Sequence, residues 1–458
     1  MKTTAASIQQ LKRGIDFDIL PPTLKDAIFT ARRLSIWYIW IDCLCIIQDS
    51  QADWEVESSK MCEYYENAYI TIAASSSASV QTPFLSRRPH TFSPKELRFE
   101  DGRGGFSTVK VRRQRKPDDC GNFAFGPLSE RAWTFQENIL SSRILHYTET
   151  EVIWECRTAM ISEDGHPLDG RRGVGLAHTL SSEIDNHPWK CWFDLVEAYS
   201  RRNLTFDTDK LPALSGVAAK IHSSTGSQYY AGLWKHNLEE HLLWFLEPWP
   251  FDSVFVPDIN YGPKPVPLLC KNAVPSWSWA SMNGAVLFWQ SDGRGNDTSQ
   301  LESSIVIEDV HCPAAGLGRF GEVGGGSLKV TGMLLPITVN SDTPTDSLSY
   351  SMSLASHGKH LFYPDTVLEE VEANSSDSQP TWTLIRCSVT EGHGAIHAQA
   401  ACLVIGRSYT GIARDFRTYG LILGQSNTYP GAYSRLGLVI LNNRDFQGNF
   451  QRETIAIV

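Results

Sequence analysis

The stretch from Trp37 to Ala74 limits the possible folds more than any other part of this chain. Trp37-Tyr38-Ile39-Trp40-Ile41 is a short, unbroken apolar run, the pattern of a strand covered on both faces, and it stops at Asp42. Residues 53–68 have helical spacing, with Trp54, Met61, Tyr64, Tyr65 and Ala68 on one face and Asp53 placed as an N-cap. Tyr69-Ile-Thr-Ile-Ala-Ala74 reads as a second buried strand. Strand, helix and strand within about forty residues make a βαβ unit with a right-handed crossover. The expectation is an α/β fold with a parallel sheet in an N-terminal domain.

The flanks extend this pattern. Leu24, Ala27, Ile28, Ala31 and Leu34 recur at helical spacing, and Pro22 suits a first turn. Ser129 is placed to cap a helix running through Trp133, Gln136 and Leu140, and β-like runs follow at residues 143–147 and 152–156. Residues 162–175 turn polar and rich in glycine and charge, so a domain boundary is expected near residue 165. The region 166–458 reads as helical to about residue 250, at 189–199 and 211–221, and mostly β thereafter. Val274-Pro-Ser-Trp-Ser-Trp-Ala280 alternates, which would set Trp277 and Trp279 on one side of a strand as core or as a ligand wall. Further strands are expected at 304–310, 328–334, 401–405 and 436–441, and a polar loop at 374–379. This second region is therefore mixed α+β, rich in short strands, and the fourteen tryptophans of the chain favour aromatic packing within it.

Charge and cysteine usage narrow the function. A net charge of −10 argues against a protein that coats nucleic acid. The basic run of Arg112, Arg113, Arg115 and Lys116 lacks aromatic interleaving and reads as a solvated loop. The ten cysteines form no Cys-x-x-Cys pair, and no Cys/His spacing points to a metal. Met1 to Gln10 hold no apolar signal core, and no apolar run approaches the ~20 residues that span a bilayer. A cytoplasmic protein with reduced thiols and no membrane span is expected, which makes the sequons at Asn203, Asn296 and Asn374 chance matches.

Three ordered blocks carry a resemblance to a known family: Trp40-Ile-Asp-Cys-Leu-Cys-Ile-Ile-Gln-Asp49, Met61-Cys-Glu-Tyr-Tyr-Glu-Asn-Ala68, and Ser129-Glu-Arg-Ala-Trp-Thr-Phe-Gln-Glu-Asn-Ile-Leu-Ser141. Together they resemble the heterokaryon-incompatibility (HET) domain of filamentous fungi. Tyr199-Ser-Arg-Arg-Asn-Leu-Thr205, Asp209-Lys-Leu-Pro-Ala-Leu-Ser-Gly216, Pro275-Ser-Trp-Ser-Trp-Ala280 and residues 431–439 look like the tail that many such proteins share. The resemblance implies a role in programmed cell-death signalling and non-self recognition. It also implies partners among other incompatibility proteins, or self-association. Such domains usually open with a strand reading roughly "Y-x-x-LSY-x-WG". This chain starts just before its first helix, so residues 1–165 are expected to form an N-terminally truncated domain whose sheet lacks that strand.

The HET domain has been likened, remotely, to the Toll/interleukin-receptor domain, some members of which cleave NAD. Those carry a Trp with a Glu four residues later on one helix, and Trp133 and Glu137 have that spacing. Residues i and i+4 share a helical face, so indole and carboxylate would point into one cleft. Breaking an N-glycosidic bond builds positive charge on the ribose, which a carboxylate stabilises while the indole walls the base or sugar. The resemblance thus marks Glu137 as catalytic, with NAD as substrate and no resident cofactor. The alternative is that Trp133 packs in the core while Glu137 pairs with Arg131 or Arg143 or caps a nearby amide.

Asp42, at the end of its expected strand, stands where open α/β sheets place ligands. It would bind a ribose hydroxyl or cap the turn. Gln48 and Asp49 share its loop. Asp42, Gln48, Arg131 and Trp133 are the expected nucleotide-binding residues, gathered with Glu137 over one pocket. Cys43 and Cys45 flank them without a histidine to activate either. Gly316-Leu-Gly-Arg-Phe-Gly321 matches G-x-G-x-x-G, but Glu322-Val-Gly-Gly-Gly-Ser327 follows it and starts no helix, so it reads as a turn. His187 and His311 read as structural or exposed. A binding-only adaptor, or an enzyme co-opted into a biosynthetic pathway, stays open beside the cell-death effector.

Overall fold

The computed structural model describes residues 1–87, 93–100, 102, 104–112, 125–165, 167–168, 184–247, 274–291, 301–316, 318–341, 350–354, 358–365, 368–371, 383–386, 397–409, 416–426, 428–442 and 452–458. Arg113, Arg115, Lys116, the sequons at Asn296 and Asn374, the tract at 374–379 and most of the expected boundary at 162–175 lie outside these residues. The chain divides into two compact units, Met1–Cys191 with Arg202–Leu204, and Trp192–Arg201 with Thr205–Val458.

In the first unit, α1 (Ile8–Leu11) and α2 (Pro22–Arg33) lead to the short α3 (Asp42–Cys45) and the long α4 (Gln51–Asn67). Pro22 sits in the first turn of α2, where its missing N–H loses nothing, and Leu24 and Ala31 bury that helix's apolar stripe. Ser50, not Asp53, caps α4: its Oγ accepts from Asp53 N at 3.2 Å, and the Asp53 carboxylate reaches back to Ile47 N at 2.7 Å. Next come β1 (Thr71–Ala73), an exposed hairpin of β2 (Lys95–Glu100) and β3 (Phe106–Val111), α5 (Trp133–Leu140), and strands β4 (Arg143–Tyr147), β5 (Val152–Cys156) and β6 (Ala159–Ser162).

The sheet has the order β1-β4-β5-β6. Only β1 and β4 are parallel, with Thr71 opposite Ile144, and the other pairs are antiparallel. The domain is therefore mixed α/β, and the expected all-parallel sheet is not what forms. Residues 37–41 belong to no strand, and Trp37 and Tyr38 are 89% and 92% exposed. An apolar run becomes a strand only when a neighbour supplies ladder partners. The partner of β1 is β4, reached through α5, so the expected βαβ unit of residues 37–74 is replaced by one that closes about seventy residues later in the chain.

Alternation along β4 and β5 buries Ile144 and His146 with Ile153 and Glu155. His146 Nε2 lies 2.7 Å from the Glu155 carboxylate, and Phe125 stacks on the imidazole at 4.4 Å. Helices α4 and α5 meet through Trp54 and Trp133, edge to face at 6.3 Å.

The second unit contains most of α6 (Pro188–Ser200), then α7 (Ser215–Thr225) and α8 (Leu238–His241), and is strand-rich. Its small pairs are β7 (Tyr229–Tyr230) with β8 (Leu233–Trp234), and β9 (Trp244–Leu246) with β10 (Val286–Phe288). The main sheet runs β11 (Leu301–Ser303), β19 (His397–Tyr409), β20 (Phe416–Gln425), β21 (Tyr433–Asn442), β22 (Arg452–Ile457), β13 (Ser327–Ser341), β14 (Tyr350–Leu354), β15 (Gly358–Leu361). Strands β12 (Val306–His311) and β16 (Tyr363–Pro364) join it through β13 and β21. A separate pair is β17 (Leu368–Val371) with β18 (Thr383–Arg386).

Residues 274–280 do not form the alternating strand expected. They turn into a 3-10 segment, Trp279–Ser281, capped by the Ser278 hydroxyl. Proline at 275 removes a ladder donor, and serines compete for backbone amides, which favours the turn. Trp277 and Trp279 are nevertheless fully buried, as core. The Gly232 carbonyl receives two indole N–H groups, from Trp192 at 3.0 Å and Trp279 at 2.9 Å. Gly232 has φ +93, and a Cβ there would sit 2.6 Å from Trp279 Nε1. Arg435, buried beside Asp365, donates to its carboxylate at 3.0 Å and to the Leu242 and Trp244 carbonyls. The Gly316 to Gly321 stretch opens no helix.

Candidate functional site

The site grows from the first turn of α5. Residues Pro127–Glu130 make a 3-10 turn in which the Ser129 hydroxyl donates to the Gly126 carbonyl at 2.6 Å. Ser129 therefore shapes the approach, and Ala132 rather than Ser129 stands at the N-cap of α5. One helical turn beyond Trp133, Glu137 projects towards α4 and accepts a hydrogen bond from the Tyr65 hydroxyl.

Glu137 as a whole keeps part of its surface open, yet its carboxylate is enclosed by protein. Burial raises its pKa to about 7, and the charge of Asp42 pushes in the same direction. The Tyr65 hydrogen bond and the guanidinium groups of Arg131 and Arg202 oppose the rise without cancelling it. Tyr65 responds in kind: burial, then the charges of Glu137 and Asp42, hold its phenol well above the ordinary value. The result is a carboxyl group half-ionised near neutral pH, hydrogen-bonded to a phenol that stays protonated. Such a group can take up or give up a proton, or present negative charge to a developing cation.

The structure brings together Asp42, Arg131 and Glu137, three of the residues singled out in the sequence. Asp42 is the first residue of α3, whose N-cap is Ile41, and its Oδ1 accepts from Cys43 N at 2.6 Å, so this local bond and proximity to Glu137 coexist. It stands at a helix start and not at a strand end, because residues 37–41 join no sheet. Gln48 turns inward to its own loop, donating to the carbonyls of Ile46 at 3.2 Å and Asp42 at 3.4 Å, and so braces α3. Asp49 accepts from Ala5 N at 2.8 Å. Trp133 is half-buried against Trp54. Arg143, the alternative partner for Glu137, donates to the Tyr69 carbonyl at 2.9 Å and lies over that residue's ring. Burial and the charge of Asp42 push the Cys43 thiol up, away from a nucleophilic thiolate.

Two members of the cluster were not singled out in the sequence. Tyr65 was legible only as part of an apolar helical face. Arg202 comes from residues Arg202–Leu204, which belong to the first unit although the chain on both sides belongs to the second. Asn203 N donates to the Glu130 carbonyl at 2.6 Å, and Ala132 N donates to the Asn203 carbonyl at 2.9 Å. No local spacing announces a bridge between residues 131 and 203.

Among the described residues no group of three or more His, Cys, Asp or Glu side chains is placed to hold a metal ion, and no helix is long and apolar enough to cross a membrane. No curated protein and no solved structure matches the chain. A family model described as heterokaryon incompatibility protein (HET) matches residues 2–137, the span that contains Asp42, Tyr65, Arg131 and Glu137. Residues 2–137 are therefore a heterokaryon-incompatibility domain, and it holds every member of the candidate site except Arg202.

Proposed function

We propose that this chain acts in heterokaryon incompatibility as a cell-death effector of a filamentous fungus, by hydrolysing the N-glycosidic bond of NAD or a related nucleotide. The observation that carries the reading is Glu137 titrating near neutrality between Asp42, Tyr65 and two arginines. In the reaction the bond from ribose C1′ to the nicotinamide nitrogen breaks, and its electron pair leaves with nicotinamide. Water then adds to C1′ and loses a proton to Glu137 or to solvent. Ionised Glu137 stabilises the positive charge on the ribose, or orients its hydroxyls. Asp42, Arg131 and Trp133 contact the nucleotide, and Gln48 supports their loop. The spacing of Trp133 and Glu137, which a remote Toll/interleukin-receptor likeness of such domains would explain, supports the same chemistry. The protein would work in the cytoplasm with other incompatibility proteins, or with copies of itself.

The test is expression of the full chain with cellular NAD measured over time. Wild type should deplete NAD, and Glu137→Gln, folded by its melting profile, should not. Equal depletion by both would remove Glu137 from the reaction. A second reading, a non-catalytic adaptor, is favoured by the exposed Trp37 and Tyr38, which suit a protein partner. Cell death that persists in Glu137→Gln but is lost in Trp37→Ser, Tyr38→Ser would favour it.

A further inference from the structure

The family match ends at Glu137, and the expected domain boundary falls near residue 165, yet the carboxylate cluster includes a residue from beyond both. Arg202 reaches the cluster because Asn203 is clamped on both sides of Arg131, by the Glu130 carbonyl and the Ala132 amide. From that bridge the Arg202 guanidinium donates to the Thr134 hydroxyl at 3.1 Å and the Arg131 carbonyl at 3.4 Å. It also lies 4.9 Å from the centre of the Phe135 ring. All these partners belong to the turn that leads into α5 or to its first residues, and α5 carries Glu137.

We propose that Arg202 is a positioning residue of this site, fixing the start of α5 and setting a permanent positive charge near the Glu137 carboxylate. The site is then discontinuous in sequence, and a fragment cut at residue 165 would hold Glu137 without its full charge balance. The charged and titratable groups acting on Glu137 are Asp42 from α3, Tyr65 from α4, Arg131 ahead of α5, and Arg202. Arg131 is exposed and acts the more strongly on Glu137, and Arg202, partly buried, adds to it. The proposal rests on Glu137 being the working carboxylate.

The experiment reads the proton on Glu137 directly. In the full chain, carbodiimide labels a protonated carboxyl, and peptide mass spectrometry gives the pH midpoint of labelling at Glu137. In Arg202→Gln, which keeps a hydrogen-bond donor and loses the charge, the midpoint should rise by about one pH unit. Arg202→Lys, which returns the charge, should bring it back towards wild type. If NAD is cleaved, the acid limb of the pH–rate profile should move with the midpoint, giving a several-fold loss at neutral pH that recovers in alkali. A shifted midpoint with no NAD cleavage by any variant would support Arg202 and sink the hydrolase reading. An unshifted midpoint in folded Arg202→Gln would overturn the role of Arg202, whatever the activity.

Discussion

The two units put their tryptophans to different uses. In the second, Trp192, Trp234, Trp244, Trp277 and Trp279 are wholly buried, and the Gly232 and Trp277 carbonyls accept indole N–H bonds. In the first, Trp37 is exposed, Trp40, Trp54 and Trp133 are half-buried, and enclosed volume is given to Glu137, Tyr65 and the His146–Glu155 pair. Aromatic burial stabilises a fold, whereas enclosing a carboxylate beside another weakens it and makes it reactive. The first unit encloses a carboxyl beside another carboxylate, whereas the second, although it also buries Lys210 and the Asp365–Arg435 pair, packs its tryptophans into core.

The comparison breaks most readily at the buried ion pair of Arg435 and Asp365 in the second unit. Asp365→Ala leaves Arg435 uncompensated and should cost about 3–5 kcal/mol, read from denaturant unfolding followed by tryptophan fluorescence. A loss below ~1 kcal/mol would mean that the carbonyls of Leu242 and Trp244 satisfy the guanidinium unaided.

Glu137→Gln should have the opposite character, with turnover falling by about 100-fold or more and stability unharmed. The folded-state pKa of Glu137 is raised to about 7, so in the native state it binds a proton that the unfolded chain has already released. Its contribution to stability therefore falls as pH rises from the ordinary carboxylate range to about 7, and stays low above. The variant should melt at or above the wild-type temperature at pH 7 and higher, and a clear drop there would mark the carboxylate as structural.

A smaller effect sharpens the picture of the tryptophan core. Gly232→Ala, at positive φ and against the Trp279 ring, should cost about 1–3 kcal/mol, measured by thermal melting. The smallest effect concerns Lys210, which is buried with its Nζ donating to the Met282 carbonyl near the Trp279 ring. Burial lowers its pKa to about 7, although both contacts favour the ammonium form. The unfolded chain binds a proton at this lysine up to about pH 10.5 while the native state releases it near 7, so stability should rise with pH between those values. Lys210→Met should flatten that rise and stabilise the neutral protein by about 1 kcal/mol; an unchanged pH–stability curve would place the lysine's charge outside the balance.

Where pattern and local chemistry agree, the sequence is a good guide to this fold. The expected helix at 22–34 is found at Pro22–Arg33, and the strands at 143–147 and 152–156 are found as read. Periodicity failed at 37–41 and 274–280 for different reasons. The first run has the composition of a strand but pairs with none among the described residues, and the second is diverted by proline and serine into a turn. Within the site, Trp133 and Glu137 stand at the i, i+4 spacing that the resemblance marked, whereas Asp42 was singled out as the end of a strand that does not form. Tyr65 was hidden because a phenol on an apolar face looks like packing until its hydroxyl finds a carboxylate. Arg202 was hidden because the bridge that delivers it spans some seventy residues, a distance at which local patterns carry no information.

Strand β13 has a consequence for how the protein is made. Its fifteen residues serve β12, β22, β19 and β14, and Met333 is where the pairings with Val404 and Arg452 overlap. On the ribosome, roughly a hundred residues must be synthesised after β13 before β22 can dock along it. Until then its apolar side chains wait without their partners, while the candidate site, built from residues no later than 204, is already complete. Nascent chains should thus pass through a stage in which the first unit is native and the second depends on chaperones.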